Sequence, residues 1–439
     1  MLGVFFPFLQ NLIKGEKESY ILEENKFSRN RKMIFEEFIY YILGNTGKTS
    51  VLELDEFFYI KNGDDEMSIS KQNLSKQRSY LNPLIFKHTI RDALKMAYST
   101  NKFDFETFKG YFVFAVDGSQ VELPNTKQTR EEFDVPLRAL KETDTPKARI
   151  SVFSDVKNDF IIDSSISGMK ITEEILAFEN IEKSSEIVDL KKSIMIFDRY
   201  YASIELFMQL LEKESKFIFR LKKSDYKKER KSMKTNDEWV QINLKSSRTK
   251  NIKNDDLKQK TEEMDFLDLR VVDIELETGE IESLITNIPE KIASLEELKE
   301  LYGERWQIEK GYDVLKNKIH IENFSGKKRI IIEQDFYAQT LMYNMLIDFK
   351  TECNQKLRKT QQHRNSEYEY NVNINLLAGK LKINLFKIVF AKSDKERIKF
   401  EQQIRDLAMK NLIKTKNKPS TKRKKTKRKK HPYNNRKNF

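Results

Sequence analysis

The chain has 439 residues, 38% hydrophobic and 34% charged, with a formal net charge of +13. That length allows two or three domains, each with a core of its own. No apolar run reaches the roughly 18 residues of a membrane span, and Cys353, the single cysteine, excludes internal disulfides and any zinc site built on a cysteine cluster.

The opening, MLGVFFPFLQNLIKG, carries no basic leader and no small-residue cleavage site, so no signal peptide is read and a cytoplasmic location is expected. Residues 1–105 read as helical. In RKMIFEEFIYYILGNTGK the positions Ile34, Phe38, Tyr41 and Ile42 share a stripe, and Gly44 and Gly47 stand where a helix would stop. SISKQNLSKQRSYLNP predicts a polar, basic helix with Ser68 or Ser70 as N-cap and Asn82-Pro83 as terminator. A short basic helix after another helix is compatible with a helix-turn-helix reader of DNA, and equally with an ordinary amphipathic helix packed on its neighbour.

From about residue 106 the pattern turns to strands. GYFVFAVDG is an apolar, aromatic and β-branched run that ends in Asp117-Gly118. ARISVFSDV and DFIIDSSIS flank Lys157-Asn158 as a hairpin, Thr172 to Lys183 is helical, and the short apolar strand SIMIF ends in Asp198. Ala202 to Lys213 is helical again, and KFIFRLK is a further strand. Three strands followed by alternating helices and strands are the element order of a ribonuclease H-like mixed sheet, by analogy of fold. Residues 222–292 are polar and charged, with strand-like pieces at WVQINL, LDLRVVDIEL and ESLITNI, and read as an inserted β-rich subdomain. Ser294 opens a long helical stretch, and helices continue through 351–410. The fold expected is therefore α/β, a ribonuclease H-like core over 106–350 with helical regions on both sides. From Asn411 to Phe439 there are 13 Lys and Arg and no acid, which leaves 81 − 13 = 68 bases against 68 acids in residues 1–410. The whole excess sits in a tail expected to be disordered when free and attracted to phosphate without regard to sequence.

A lone acid at a strand end commonly caps a turn. Two of them, each after an apolar strand, can share divalent cations about 4 Å apart if a third carboxylate joins, and such oxygen ligands suit magnesium or manganese. The third acid is indicated by Tyr302, Arg305, Glu309 and Lys316, whose offsets of 0, 3, 7 and 14 fall within a stripe about 60° wide on an α-helix. Ile308, Tyr312 and Leu315 form an apolar seam beside it. A carboxylate with two cations and a phenol on one face suits metal and DNA phosphate. The plain alternative is a solvated face with i,i+4 ion pairs, and Asp313 is a rival acid on the same side.

The pattern Tyr302-x2-Arg305-x3-Glu309-x6-Lys316 resembles the YREK signature of the insertion-sequence-four family of bacterial transposases. VDGSQVELPNT around Asp117 and FDRYYAS around Asp198 resemble that family as well, although Asp198-Arg199-Tyr200-Tyr201 stands where the family often has Asp-Arg-Gly-Tyr. The likeness runs from about residue 27 to 350, and the 110 residues between Asp198 and Glu309 fit the family's β-rich insertion. It implies Asp117, Asp198 and Glu309 as catalytic metal ligands for two Mg2+ ions, with Mn2+ able to substitute. Tyr302, Arg305 and Lys316 would contact DNA, and Trp306 would stack on a flipped base where a hairpin intermediate forms, a contact worth about 1–3 kcal/mol. The activity implied is cut-and-paste transposition by a DDE enzyme. Its partners would be double-stranded DNA, both terminal inverted repeats and target, and a second copy of the chain. An inactive DNA-binding relative and a ribonuclease H-like nuclease without strand transfer are the rival readings.

Overall fold

The computed structural model describes residues 4–28, 32–63, 69–100, 103–135, 145–277, 279–361 and 369–415. The lysine-rich run expected to be a free tail lies outside them from residue 416 on. Among the described residues, no helix is long and apolar enough to cross a membrane.

The N-terminal region as far as Ser99 is helical: α1 (Phe5–Gly15), α2 (Phe35–Leu43), α3 (Ser50–Asn62), α4 (Lys71–Arg78) and α5 (Leu84–Ser99). Gly44 caps α2, and the predicted Ser70 hydroxyl caps α4 by accepting from the Asn73 amide at 3.3 Å. Helix α1 is a core element: Phe5, Phe6 and Leu9 are fully enclosed.

The sheet begins with β1 (Phe112–Glu122), followed by α6 (Lys127–Glu132), β2 (Lys147–Asp155), β3 (Ile161–Ser167), α7 (Glu173–Ser184), β4 (Ser193–Phe197), α8 (Ile204–Glu212) and β5 (Lys216–Arg220). Next come α9 (Lys227–Ser232), β6 (Asp237–Asn243), α10 (Ser246–Thr249), α11 (Asp255–Glu262), β7 (Phe266–Glu275) and β8 (Ile281–Thr286). The strands order as β3-β2-β1-β4-β5-β8-β7-β6. β1, β4 and β5 are mutually parallel, while β2 and β3 run antiparallel beside them. This is the ribonuclease H-like arrangement. Every residue of β4 is buried, as expected of a strand covered on both faces. The β-rich insertion builds no sheet of its own: β8 pairs antiparallel with β5, and β7 and β6 follow outward.

After the sheet come α12 (Leu295–Glu304), α13 (Trp306–Asn317), α14 (Arg329–Gln361), β9 (Glu369–Val372), α15 (Ile374–Val389), α16 (Asp394–Lys410) and β10 (Leu412–Thr415). Two points depart from the sequence reading. The C-terminal region, expected to be helical throughout, contains a small antiparallel ladder of β9 and β10. Its second strand uses residues that were assigned to the free tail, because Leu412 to Thr415 find main-chain partners at Glu369 to Val372.

Candidate active site

β1 and β4 bring the two aspartates together. Their parallel ladder closes at Ala115↔Ile196, and Asp117 and Asp198 each stand two residues further on. Adjacent strands therefore deliver both carboxyl groups at one level of the sheet. Behind Asp198 the strand end is fixed by aromatic packing. Phe197 stacks on Phe219 of β5 with ring centroids 4.3 Å apart and planes 5° from parallel. The Asp198 carboxylate accepts from the Tyr200 amide at 2.5 Å, and its carbonyl accepts from the Tyr201 amide at 3.2 Å, closing a tight turn.

The third acid rides on a helix that is clamped to β1. Tyr312 of α13 donates its hydroxyl to the Asp117 carbonyl at 2.7 Å. One turn later, Lys316 donates to the Ser119 hydroxyl at 2.7 Å and the Gln120 carbonyl at 2.8 Å. The apolar seam read from the sequence is real, with Ile308, Tyr312 and Leu315 all buried. Preceding helix α12 opens on a capping box at Ser294 and Glu297. It is held by ion pairs from Lys109 to Glu297 and from Lys157 to Glu304.

One unbroken helix through the four signature positions was expected, and the structure divides it at Arg305. There the Arg305 amide bonds back to the Tyr302 carbonyl and the Ile308 amide to the Arg305 carbonyl, both at 3.2 Å, tightening the chain to three-residue spacing. Gly303, a weak helix former, sits just before the break. Tyr302 and Arg305 turn inward and are 6% and 8% exposed. The Arg305 guanidinium donates to Glu309 at 2.9 Å, the i,i+4 pair of the plainer reading, with the Arg305 side chain buried and that of Glu309 39% exposed. Trp306 is half exposed, with the guanidinium of Arg305 at 5.8 Å from its ring centroid. Asp313 is engaged elsewhere, accepting from Asn317.

Electrostatics join these groups. Burial pushes the Asp117 carboxyl up to about 7; Arg305 opposes that rise, and the charges of Asp198 and Glu309 add to it. Lys316 is pulled below its ordinary range by its own burial. Three features were not read from the sequence. The buried Tyr201 hydroxyl has no hydrogen-bond partner among the described residues and feels Asp117, Glu173 and Asp198. The side chain of Glu173, at the start of α7, lies so close over Gly118 that a Cβ there would meet its Cγ at 2.7 Å. Tyr200 is 66% exposed on the Asp198 turn. The extra tyrosine in Asp-Arg-Tyr-Tyr was the signal for the last of these; nothing local marks the other two, since only packing brings them to Asp117.

The family model for the transposase DDE domain matches residues 109–345, more than half of the chain. The chain belongs to the DDE transposase family. It is thus by family a DNA transposition enzyme, of a class that generally works with divalent metal ions. Its matched segment starts just before β1 and ends within α14, so it contains Asp117, Asp198 and the helix with Glu309. Asp198 follows the end of β4 as expected, whereas Asp117, expected at a strand end, lies within β1, which stays paired with β2 as far as Glu122. No curated protein matches the chain significantly. Among solved structures, the chain is similar to the piggyBac transposase in a cryo-EM synaptic complex with hairpin DNA. The identity is 11%, the TM-score is 0.44, and the match covers 95% of this chain and 87% of that one. A likeness that distant decides nothing about this site.

Three carboxylates, the donors expected from the sequence, are of the oxygen type that suits a hard divalent cation, and burial raises Asp117 although Arg305 opposes it. Yet among the described residues no three acidic, histidine or cysteine side chains form a group that could hold a metal ion. One Glu309 oxygen is taken by Arg305.

Proposed function

We propose that this chain is a cut-and-paste DNA transposase related to the insertion-sequence-four family, with Asp117, Asp198 and Glu309 as its catalytic carboxylates. The observation that carries the reading is the delivery of two aspartates by adjacent parallel strands, with the Glu309 helix bonded across the same strand by Tyr312 and Lys316. The three acids would hold two divalent cations, Mg2+ or Mn2+, which supply activation of the attacking hydroxyl and stabilisation of the leaving 3′-oxygen. To take part, Glu309 exchanges its Arg305 partner, and the freed guanidinium is then placed to take a phosphate oxygen of the bound strand. Tyr302, expected to contact DNA, is 6% exposed and acts on the Arg305 guanidinium electrostatically. Lys316 keeps α13 in register with β1 and adds positive charge beside the DNA, and half-exposed Trp306 offers a stacking face for an unpaired base.

The helical region 1–105 would bind element-end DNA, the core over 106–350 would cut and join it, and residues 351–410 would buttress the core. Two copies of the chain would hold the two ends. Incubated with element-end DNA and magnesium, the protein is expected to leave 3′-hydroxyl ends. Asp117→Asn, Asp198→Asn and Glu309→Gln are each expected to lower cutting by at least about 1,000-fold while DNA binding persists. Normal cleavage by Glu309→Gln would remove that residue from the catalytic set. Pre-cut ends that are never joined to target DNA would identify a nuclease instead.

A further inference from the structure

A cleft of about 620 Å³ lies between α4 and the segment that leads from α13 into α14. Its walls carry Lys71, Lys76 and Lys328, with the hydroxyls of Ser75 and Ser79 between them, and no acidic residue lines it. All three lysines are exposed, and among the described residues none is paired with a carboxylate. The floor is different in kind. Arg78 is buried there and already satisfied, donating to Gln334, Ser325 and Asp335, the last at 2.7 Å. Its charge is cancelled by Asp335 at 3% side-chain exposure, so the floor is a neutral fastening and the walls hold the free cations. Gly326 keeps one wall bare, for a Cβ there would strike Ile331 at 2.5 Å.

We propose that this cleft binds the sugar–phosphate backbone of duplex DNA without reading its sequence. A polyanion is the ligand that three ammonium groups without carboxylate partners and the Ser75 hydroxyl recognise, the Ser79 hydroxyl already donating to the Lys76 carbonyl at 2.7 Å. Ammonium and hydroxyl groups lack the planar fork that reads a base edge in pairs of bonds. Through these lysines α4 grips phosphate, with Gln72 the one side-chain amide among the residues that line the cleft. The location gives this grip a consequence for the reaction. The segment forming the second wall is bonded to the end of the strand that carries Asp117, where Glu322 accepts from the Glu122 amide at 2.8 Å, and to α6 just after it, where the Lys327 carbonyl accepts from Thr129 at 2.9 Å. A duplex seated in the cleft is thereby registered against the strand that presents Asp117. This inference rests on the transposase reading, and it names where the non-reacting part of the substrate is held.

The test is binding of the full-length protein to a duplex of arbitrary sequence and to an element-end duplex, by fluorescence anisotropy over a series of salt concentrations. Lys71→Gln, Lys76→Gln and Lys328→Gln combined are expected to weaken binding to both duplexes at least about ten-fold. The slope of log affinity against log salt is expected to fall by about 2 to 3, near 0.9 for each phosphate that is no longer neutralised. Lys395→Gln with Lys399→Gln on α16, a control of similar charge change, is expected to leave both unchanged. Unaltered thermal unfolding of the triple variant checks that the fold is kept. A wild-type protein that binds while the triple variant keeps its salt slope overturns the cleft and leaves the transposase reading standing. Weakening confined to the element-end duplex also overturns it, in favour of base reading by α4. A wild-type protein that binds neither duplex overturns both.

Discussion

The hydroxyl of Tyr312 joins the helix of Glu309 to the strand of Asp117, donating to the Asp117 carbonyl from a buried position. Tyr312→Phe keeps the packing and deletes this bond, so a loss of about 1 to 3 kcal/mol is expected, read as a lower urea midpoint with an unchanged slope. An unchanged midpoint would show that the bond does not fix the helix. From sequence, Tyr312 was legible as part of an apolar seam; its polar end was not, because its acceptor lies 195 residues away in the chain. Asp155 offers a test in pH. Its carboxyl is fully enclosed at the β2–β3 turn, where it accepts from Tyr98 at 2.7 Å and from the Lys157 and Asn158 amides at 3.0 Å. Burial pushes it up to about 6 against those bonds. A raised acid stabilises the fold fully below its unfolded value, near pH 4, and that contribution is lost as pH rises through about 6. Wild-type stability is therefore expected to fall relative to Asp155→Asn across that window in urea titrations. A difference that stays flat from pH 4 to 7 would contradict the shift.

At the scale of elements, the amphipathic helices and apolar strands follow local pattern closely. Ser70, Thr172 and Ser294 cap the helices they precede, and the strands SIMIF and KFIFRLK form as β4 and β5. The division of α12 from α13 at Arg305 escaped that pattern because hydrophobic period does not record a single residue of three-residue spacing. The β9–β10 ladder escaped it because four-residue strands carry too little alternation to be told from a helix end or a tail. Between elements, the Arg78–Asp335 pair fastens α4 to α14 with both side chains at 3% exposure. Arg78→Ala leaves a buried, unpaired carboxylate, and a loss of about 3 to 5 kcal/mol is expected by chemical denaturation. A change below about 1 kcal/mol would mean that water reaches Asp335 and that the fastening is superficial.

Over the whole molecule, the insertion between Asp198 and Glu309 is part of the catalytic sheet and not an appendage. Excising residues 222–286 would strip β8 from β5 and leave the parallel core with an open edge, so the shortened protein is expected to aggregate on size-exclusion chromatography. A monodisperse, folded product would show that the core closes without it. The sequence by itself determined most element types, the two aspartates that follow apolar runs, the acid-bearing helix and the ribonuclease H-like class, because hydrophobic period, turn residues and motif spacing are all local in the chain. That β1 runs on past Asp117 to Glu122 was decided by its pairing with β2. Tertiary structure alone decided the rest: the attachment of the insertion to β5, the inward turn of Tyr302 and Arg305, the arrival of Glu173 and Tyr201 beside Asp117, and the lysine-walled cleft. Each of these joins segments far apart in the chain, and strand order and helix docking are set by which surfaces bury each other, a choice that no window along a sequence contains.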